Sequence, residues 1–123
     1  MKIKKALIVE DNPINMELVL EILTSNGIGA DEAVNGEEAI EMVEKNTYDL
    51  VLMDIELPGM DGVDTTKIIK SRHKNMLILA LTSYAMKGDR ERFIAAGFDD
   101  YIAKPIDVNL FIEKINKLIH INS

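Results

Sequence analysis

Short apolar runs alternate with longer amphipathic stretches along this chain. Residues 6–9, 50–53 and 76–81 are rich in Leu, Ile and Val and bounded by polar or turn residues, which suits strands buried on both faces. Residues 29–34 and 100–103 are thinner strand candidates, and their assignment leans on the alternation of their neighbours. Between these runs the period changes. Asn12-Pro13 reads as an N-cap followed by proline at the first helical position, and Ile14, Leu18, Val19, Ile22 and Leu23 then recur at helical spacing until Gly27. Asn35-Gly36 opens a second helix with Ala39, Ile40 and Val43 on one face, and residues 62–71 form a third. Residues 84–96, closed by Gly97, give a fourth, and Asp107 caps a fifth whose stripe is Phe111, Ile112, Ile115, Leu118 and Ile119. The order is (βα)₅, which predicts an α/β domain with a parallel sheet covered by helices on both faces. No repeat, linker or low-complexity segment marks a second unit, so one domain over residues 1–123 is expected.

Composition narrows the function classes. With 47% apolar residues in 123, the chain can bury a real core as a compact soluble unit. It has no cysteine, which excludes disulfides, thiolate metal sites and cysteine nucleophiles. The basic start Met1-Lys2-Ile3-Lys4-Lys5 precedes an apolar stretch far too short for a signal or membrane-spanning segment, so a cytoplasmic protein with no membrane partner is expected. A formal net charge of −7 argues against nucleic acid, whose phosphates are bound through clustered Lys and Arg. His73 and His120 lie far apart with no cysteine beside them, against a zinc site. The seven methionines read as core filler and Asp99-Asp100 as a solvated turn.

In open parallel sheets the ligand site lies beyond the carboxyl ends of the strands, at the switch point of strand order. The residues just past each expected strand are Glu10-Asp11, Asp54, Thr82-Ser83 and Lys104-Pro105. Three carboxylates, a hydroxyl and an amine therefore converge on one edge. At an effective dielectric near 20, each pair of unit charges about 4 Å apart repels by on the order of 4 kcal/mol, so a cation is needed. All-oxygen ligands with an open coordination sphere suit Mg²⁺. With Lys104 and Thr82 able to meet phosphate oxygens, the constellation fits in-line phosphoryl transfer, with Asp54 as the nucleophile that forms an acyl phosphate. Each residue taken singly has an ordinary structural role: Glu10, Asp11 and Asn12 favour a helix N-terminus, Asp54 a turn, Thr82 and Ser83 a cap, Lys104 a surface position. Their joint placement is what points to chemistry.

The chain resembles the receiver domain of two-component response regulators from about Lys5 to Leu118. The pieces are Ala6-Leu7-Ile8-Val9-Glu10-Asp11-Asn12, Leu52-Met53-Asp54-Ile55, Leu57-Pro58-Gly59-Met60-Asp61-Gly62, Ala80-Leu81-Thr82-Ser83 and Tyr101-Ile102-Ala103-Lys104-Pro105, in order and at family-like spacing. The resemblance implies the CheY-like, flavodoxin-like fold, a doubly wound five-stranded sheet in the order 2-1-3-4-5. It implies Asp54 as phosphoacceptor and a Mg²⁺ ion, with Mn²⁺ as a substitute. The ion would be held by Asp11, Asp54, the backbone carbonyl of Glu56 and, through water, Glu10. Thr82 resembles the switch hydroxyl, the Ser83 backbone a phosphate donor, Lys104 the phosphate-pairing amine and Tyr101 the aromatic that moves with Thr82. A cis peptide is implied before Pro105. Glu56 and Tyr84, two residues after Asp54 and Thr82, are expected to border the path of water to the phosphoryl group. There Glu56 adds charge that raises the demand for metal, and Tyr84 shields the acyl phosphate.

These implications make the chain a phosphoacceptor signalling domain that assists its own phosphorylation and dephosphorylation, and not an enzyme acting on a separate substrate. The expected donor is a histidine kinase or a histidine phosphotransfer protein. No output module follows Ser123, so a downstream protein is expected at the face of the fourth helix, fifth strand and fifth helix, including Lys87, Arg90, Arg92, Tyr101 and Ile106. A stand-alone regulator is preferred because Met1 lies just before the first strand; the alternative is a receiver excised from a hybrid kinase, which Asn12-Pro13-Ile14-Asn15 and Tyr84-Ala85-Met86-Lys87-Gly88-Asp89 also resemble. A phosphatase of the haloacid dehalogenase kind is a more distant reading of Asp54-Ile55-Glu56. Against it, those enzymes use Asp as the second acid and place the nucleophile on the first strand. A flavin-binding protein of the same topology fares worse, because Glu10-Asp11 would repel the phosphate.

Overall fold

The computed structural model describes residues 3–83 and 89–121. Five parallel strands, β1 (Lys5–Val9), β2 (Gly29–Ala33), β3 (Leu50–Asp54), β4 (Ile78–Thr82) and β5 (Asp100–Ala103), stand in the order β2-β1-β3-β4-β5. The helices α1 (Pro13–Ser25), α2 (Gly36–Lys45), α3 (Gly62–Arg72), α4 (Asp89–Ala95) and α5 (Val108–Ile121) connect and follow them. The (βα)₅ alternation and the strand order agree with the sequence reading. Expected positions Tyr84 and Lys87 lie outside the described residues.

The continuous apolar runs have a direct cause: successive strand side chains point to opposite faces, and here both faces are covered. Ala6, Ile8, Leu50, Leu52, Leu79 and Leu81 enter a core with Val19, Leu23, Phe111 and Ile115 from α1 and α5. Leu7, Val9, Val51, Met53, Ile78 and Ala80 enter a second core with Ala39, Val43, Ile69 and Phe93 from α2, α3 and α4. Strand β2 lacks such a run because it is an edge, paired only with β1. Its Asp31 faces polar partners, accepting from the Tyr48 hydroxyl at 2.7 Å and pairing with Lys5 at 3.1 Å.

Caps set the helix starts. Asn12 Oδ1 accepts from Ile14 N and Asn15 N, Asn35 Oδ1 from Glu38 N, Asp61 Oδ1 from Asp64 N and Asp107 Oδ1 from Leu110 N, each satisfying an orphan donor of a first turn. Gly27 and Gly97 end α1 and α4 at φ +76° and +108°, which a Cβ would disfavour.

Three expectations need correction, and a fourth lies outside the described residues. Ile14 is 77% exposed rather than on the buried face of α1, and Met16 takes the inward position in the first turns. The fourth strand starts at Ile78 and not at residue 76, because Met76 N is engaged in a turn to His73 O and Val51 N reaches only Leu77 O. Helix α4 is described from Asp89, and the residues expected to open it fall outside the described set. Asp99 is no solvated turn. Its N–H donates to Ile78 O while its Oδ2 accepts from Ile78 N at 2.8 Å and from Lys70 Nζ at 3.0 Å. Asp49 does the same one strand pair away, donating to Lys5 O and accepting from Lys4 N and Lys5 N. An Asp just before β3 and another just before β5 thus pin the starts of β1 and β4.

Replacing Asp99 by Ala leaves the half-buried Ile78 N–H without an acceptor, an omission that costs about 1–3 kcal/mol. Urea denaturation of Asp99→Ala is expected to show a loss of that size with an unchanged slope.

Candidate functional site

The backbone ladders run past the strand ends and fix the residues that follow them. Glu10 N donates to Ala33 O, Ile55 N to Leu81 O and Lys104 N to Thr82 O, at 2.8–3.0 Å. Glu10, Asp54 and Lys104 are therefore placed by sheet geometry and not by loops. The Lys104-Pro105 peptide is cis, as the resemblance implies. Helix α3 abuts the exit of β3: a Cβ on Gly62 would lie 2.2 Å from Asp54 O and 2.8 Å from Ile55 Cα, so no side chain fits there.

These elements surround a cleft of about 300 Å³ at the carboxyl ends of β1, β3 and β4, beside the switch point between β1 and β3. Glu10, Asp11, Asp54, Glu56, Ser83 and Lys104 all line it. A larger cavity of about 590 Å³ opens at the opposite strand ends, where Lys70 and Asp99 pair with each other, and it gathers no carboxylate cluster of this kind. Among the described residues, Glu10, Asp11 and Asp54 form the group able to hold a cation, each offering an oxygen within 4.8 Å of the others. An all-carboxylate set with one exposed member fits a hard divalent ion that keeps some water.

Lys104 is the internal counter-charge. Its Nζ lies 3.2 Å from both Glu10 oxygens and 3.1 Å from Asp54 Oδ2. Glu10 and Asp54 are almost fully buried, at 1% and 2% exposure. Burial works against the Lys104 ammonium, but the Asp54 and Glu10 charges and hydrogen bonds together hold its pKa above the ordinary lysine value. Asp54 is pushed up to about 6, first by burial and then by Glu10, while its hydrogen bond with Glu56 and the charge of Lys104 work in the opposite direction. Asp54 Oδ1 also accepts from Glu56 N at 3.0 Å.

Two residues play parts that their motifs did not reveal. Asn15 Nδ2 donates to Glu10 Oε1 at 2.9 Å, orienting that carboxylate from the first turn of α1; its place one helical turn past the Asn12 cap was the available signal. The Glu56 carboxylate lines the same cleft, its Oε1 accepting from Ser83 N at 3.0 Å and Thr82 Oγ1 at 3.3 Å. Tyr101 points away from the cleft, its ring 5.4 Å from that of Phe93 and 4.2 Å from Lys114 Nζ. Arg90 and Arg92 are exposed on α4, and Ile106 packs against the α1–α5 core. His73 pairs with Glu44 at 3.2 Å, and the His120 side chain lies outside those described. None of the described helices is long and apolar enough to cross a membrane.

Fold and cleft together define a doubly wound α/β domain with an acidic, lysine-bridged pocket at its switch point. The chain belongs to the response regulator receiver domain family, whose model matches residues 6–116. It is 39% identical over 118 residues to the polar-differentiation response regulator DivK of Brucella anthropi, covering 94% of this chain and 96% of that protein. The receiver domain of the sensor histidine kinase PA1611 from Pseudomonas aeruginosa, solved with a magnesium ion in its active-site cleft, superimposes with a TM-score of 0.84 at 34% identity, covering 94% and 97% of the two chains. The Saccharomyces cerevisiae complex of the histidine phosphotransfer protein Ypd1 with the receiver domain of Ssk1 contains a chain similar at TM-score 0.84 and 29% identity, with 94% and 88% covered. The protein is a receiver domain of two-component signalling, and no comparison favours the phosphatase reading.

The raised Asp54 value carries a stability consequence. Between the ordinary 3.8 and about 6 the folded chain keeps a proton that the unfolded chain has released, so stability falls as pH rises through that window. In metal-free buffer, Asp54→Asn is expected to raise the thermal midpoint by several degrees near neutral pH and to change it little at about pH 4. Thermal scans at both pH values measure this, and a lowered midpoint near neutrality would contradict it.

Proposed function

We propose that Asp54 is the phosphoacceptor of this receiver domain. The observation that carries this is a buried carboxylate at the end of a central strand, flanked by Glu10 and Asp11 and contacted by Lys104 at 3.1 Å. In the transfer, an Asp54 oxygen attacks the phosphorus of a phosphohistidine. The P–O bond forms as the P–N bond breaks, and the imidazole nitrogen keeps the bonding pair. Asp11, Asp54 and the Glu56 backbone carbonyl, with Glu10 through water, would hold Mg²⁺ or Mn²⁺. When bound, that ion supplies positive charge to offset the carboxylates and the phosphoryl oxygens. Lys104 pairs with the phosphoryl group, and Thr82 Oγ1 and Ser83 N–H are the remaining donors for its oxygens. The same groups assist hydrolysis, in which a water oxygen bonds the phosphorus as the Asp54 O–P bond breaks, releasing inorganic phosphate and the free carboxylate, so the domain turns over its own modification without a separate substrate.

Phosphorylation places roughly −2 charge where a single carboxylate stood, which draws Lys104 and Thr82 toward it and biases a two-state equilibrium. The readout on this reading is the face of α4, β5 and α5 bearing Arg90, Arg92, Tyr101 and Ile106, which would meet a downstream protein. A histidine kinase or a histidine phosphotransfer protein is the donor, by analogy with the Ypd1 complex, and the setting is the cytoplasm. A single domain over residues 1–123 is the organisation this reading adopts, supported by the near-complete coverage of the DivK relative.

Incubation with acetyl phosphate and MgCl₂, followed by intact-mass measurement, tests the assignment. A stoichiometric gain of one phosphoryl group that is absent in Asp54→Asn is expected. A gain that persists in the variant would move the acceptor elsewhere.

A further inference from the structure

The Glu56 side chain is engaged in a way that the phosphoacceptor reading does not require. One carboxylate oxygen, Oε1, takes hydrogen bonds from Ser83 N–H at 3.0 Å and Thr82 Oγ1 at 3.3 Å. The other, Oε2, is buried with no hydrogen-bond partner. A backbone amide and a hydroxyl at the end of β4, next to the strand that carries Asp54, make a two-donor site for an anionic oxygen. That site already holds an anion of the chain's own. The unpartnered oxygen shows that the placement is poorly compensated, since a buried acceptor left unsatisfied is costly.

We propose that Glu56 is an internal stand-in for the phosphoryl group, and that its carboxylate must leave Thr82 and Ser83 before a phosphoryl oxygen on Asp54 can take them. The proposal rests on Asp54 being the phosphoacceptor. A phosphoryl group brings more acceptor oxygens and more charge than the single Oε1, so it wins the competition once attached. Until then Glu56 keeps the two donors satisfied. The residue acts as a positioning group that sets how readily the site accepts phosphate, through the two donors at the end of β4 that its Oε1 occupies. The fraction of molecules with Glu56 displaced scales the apparent affinity for any phosphoryl mimic.

Beryllofluoride, titrated at saturating MgCl₂ into the wild type, Glu56→Gln and Glu56→Ala, with the Ser83 amide resonance followed by NMR, distinguishes the outcomes. Glu56→Ala is expected to reach half-saturation at about three- to tenfold lower beryllofluoride, the size of one modest hydrogen-bonded contact released. Glu56→Gln keeps an oxygen that can accept from Ser83 and Thr82 and should fall between. In the ligand-free protein the Ser83 amide should move upfield in Glu56→Ala and stay near its wild-type position in Glu56→Gln. Equal half-saturation in all three proteins, weaker binding by Glu56→Ala, an unmoved Ser83 amide, or identical behaviour of the Gln and Ala variants would each overturn the proposal while leaving Asp54 as acceptor intact. Failure of all three to bind beryllofluoride would remove the phosphoacceptor reading, and this proposal with it.

Discussion

One ammonium group facing more carboxylates than it can neutralise is the interaction on which this molecule's chemistry depends. Lys104 reaches both Glu10 and Asp54, and Asp11 and Glu56 share the same cleft. A fully neutralised cluster would be an inert buried salt bridge, whose desolvation roughly cancels its attraction. An uncompensated one attracts cations, and burial first and Glu10 second hold Asp54 above its ordinary value. The excess of negative charge is thus a property of the site as a whole and not of any single residue.

That imbalance is sustainable only because the backbone beneath it is stiff. Glu10, Ile55 and Lys104 each extend a ladder of the parallel sheet by one hydrogen bond, so three of the four converging segments are held by main chain. The two apolar cores on either face lock the strands in turn. Like charges that would separate in a loop are kept in place by packing that has nothing to do with charge.

The architecture was legible because buried parallel strands write themselves as continuous apolar runs, and helices as caps followed by a period near four. Asn12, Asn35 and Asp107 acted as read, and the strand-end rule located Glu10, Asp11, Asp54 and Lys104 in one cleft. What the pattern missed was set by tertiary context. Ile14 has helical spacing but stands exposed. Asp99 looks like a turn residue but serves the neighbouring strand across a gap that sequence distance conceals. Glu56 was read as added charge, and it does line the cleft; that its Oε1 also takes the Thr82 and Ser83 donors at the end of β4 was not read. Side-chain direction of that kind is decided by which donors are within reach, and no periodicity encodes it.

The missing side chain of Gly62 has a consequence for any group that Asp54 acquires. The first turn of α3 sits flush on the main chain of Asp54 and Ile55, closer than a methyl group would allow, so that stretch of backbone has an anvil behind it. A bulky substituent on the aspartate has no room to recoil into the domain. On the proposed reading a phosphoryl group there would be taken up on the open side of the cleft, toward the end of the neighbouring strand.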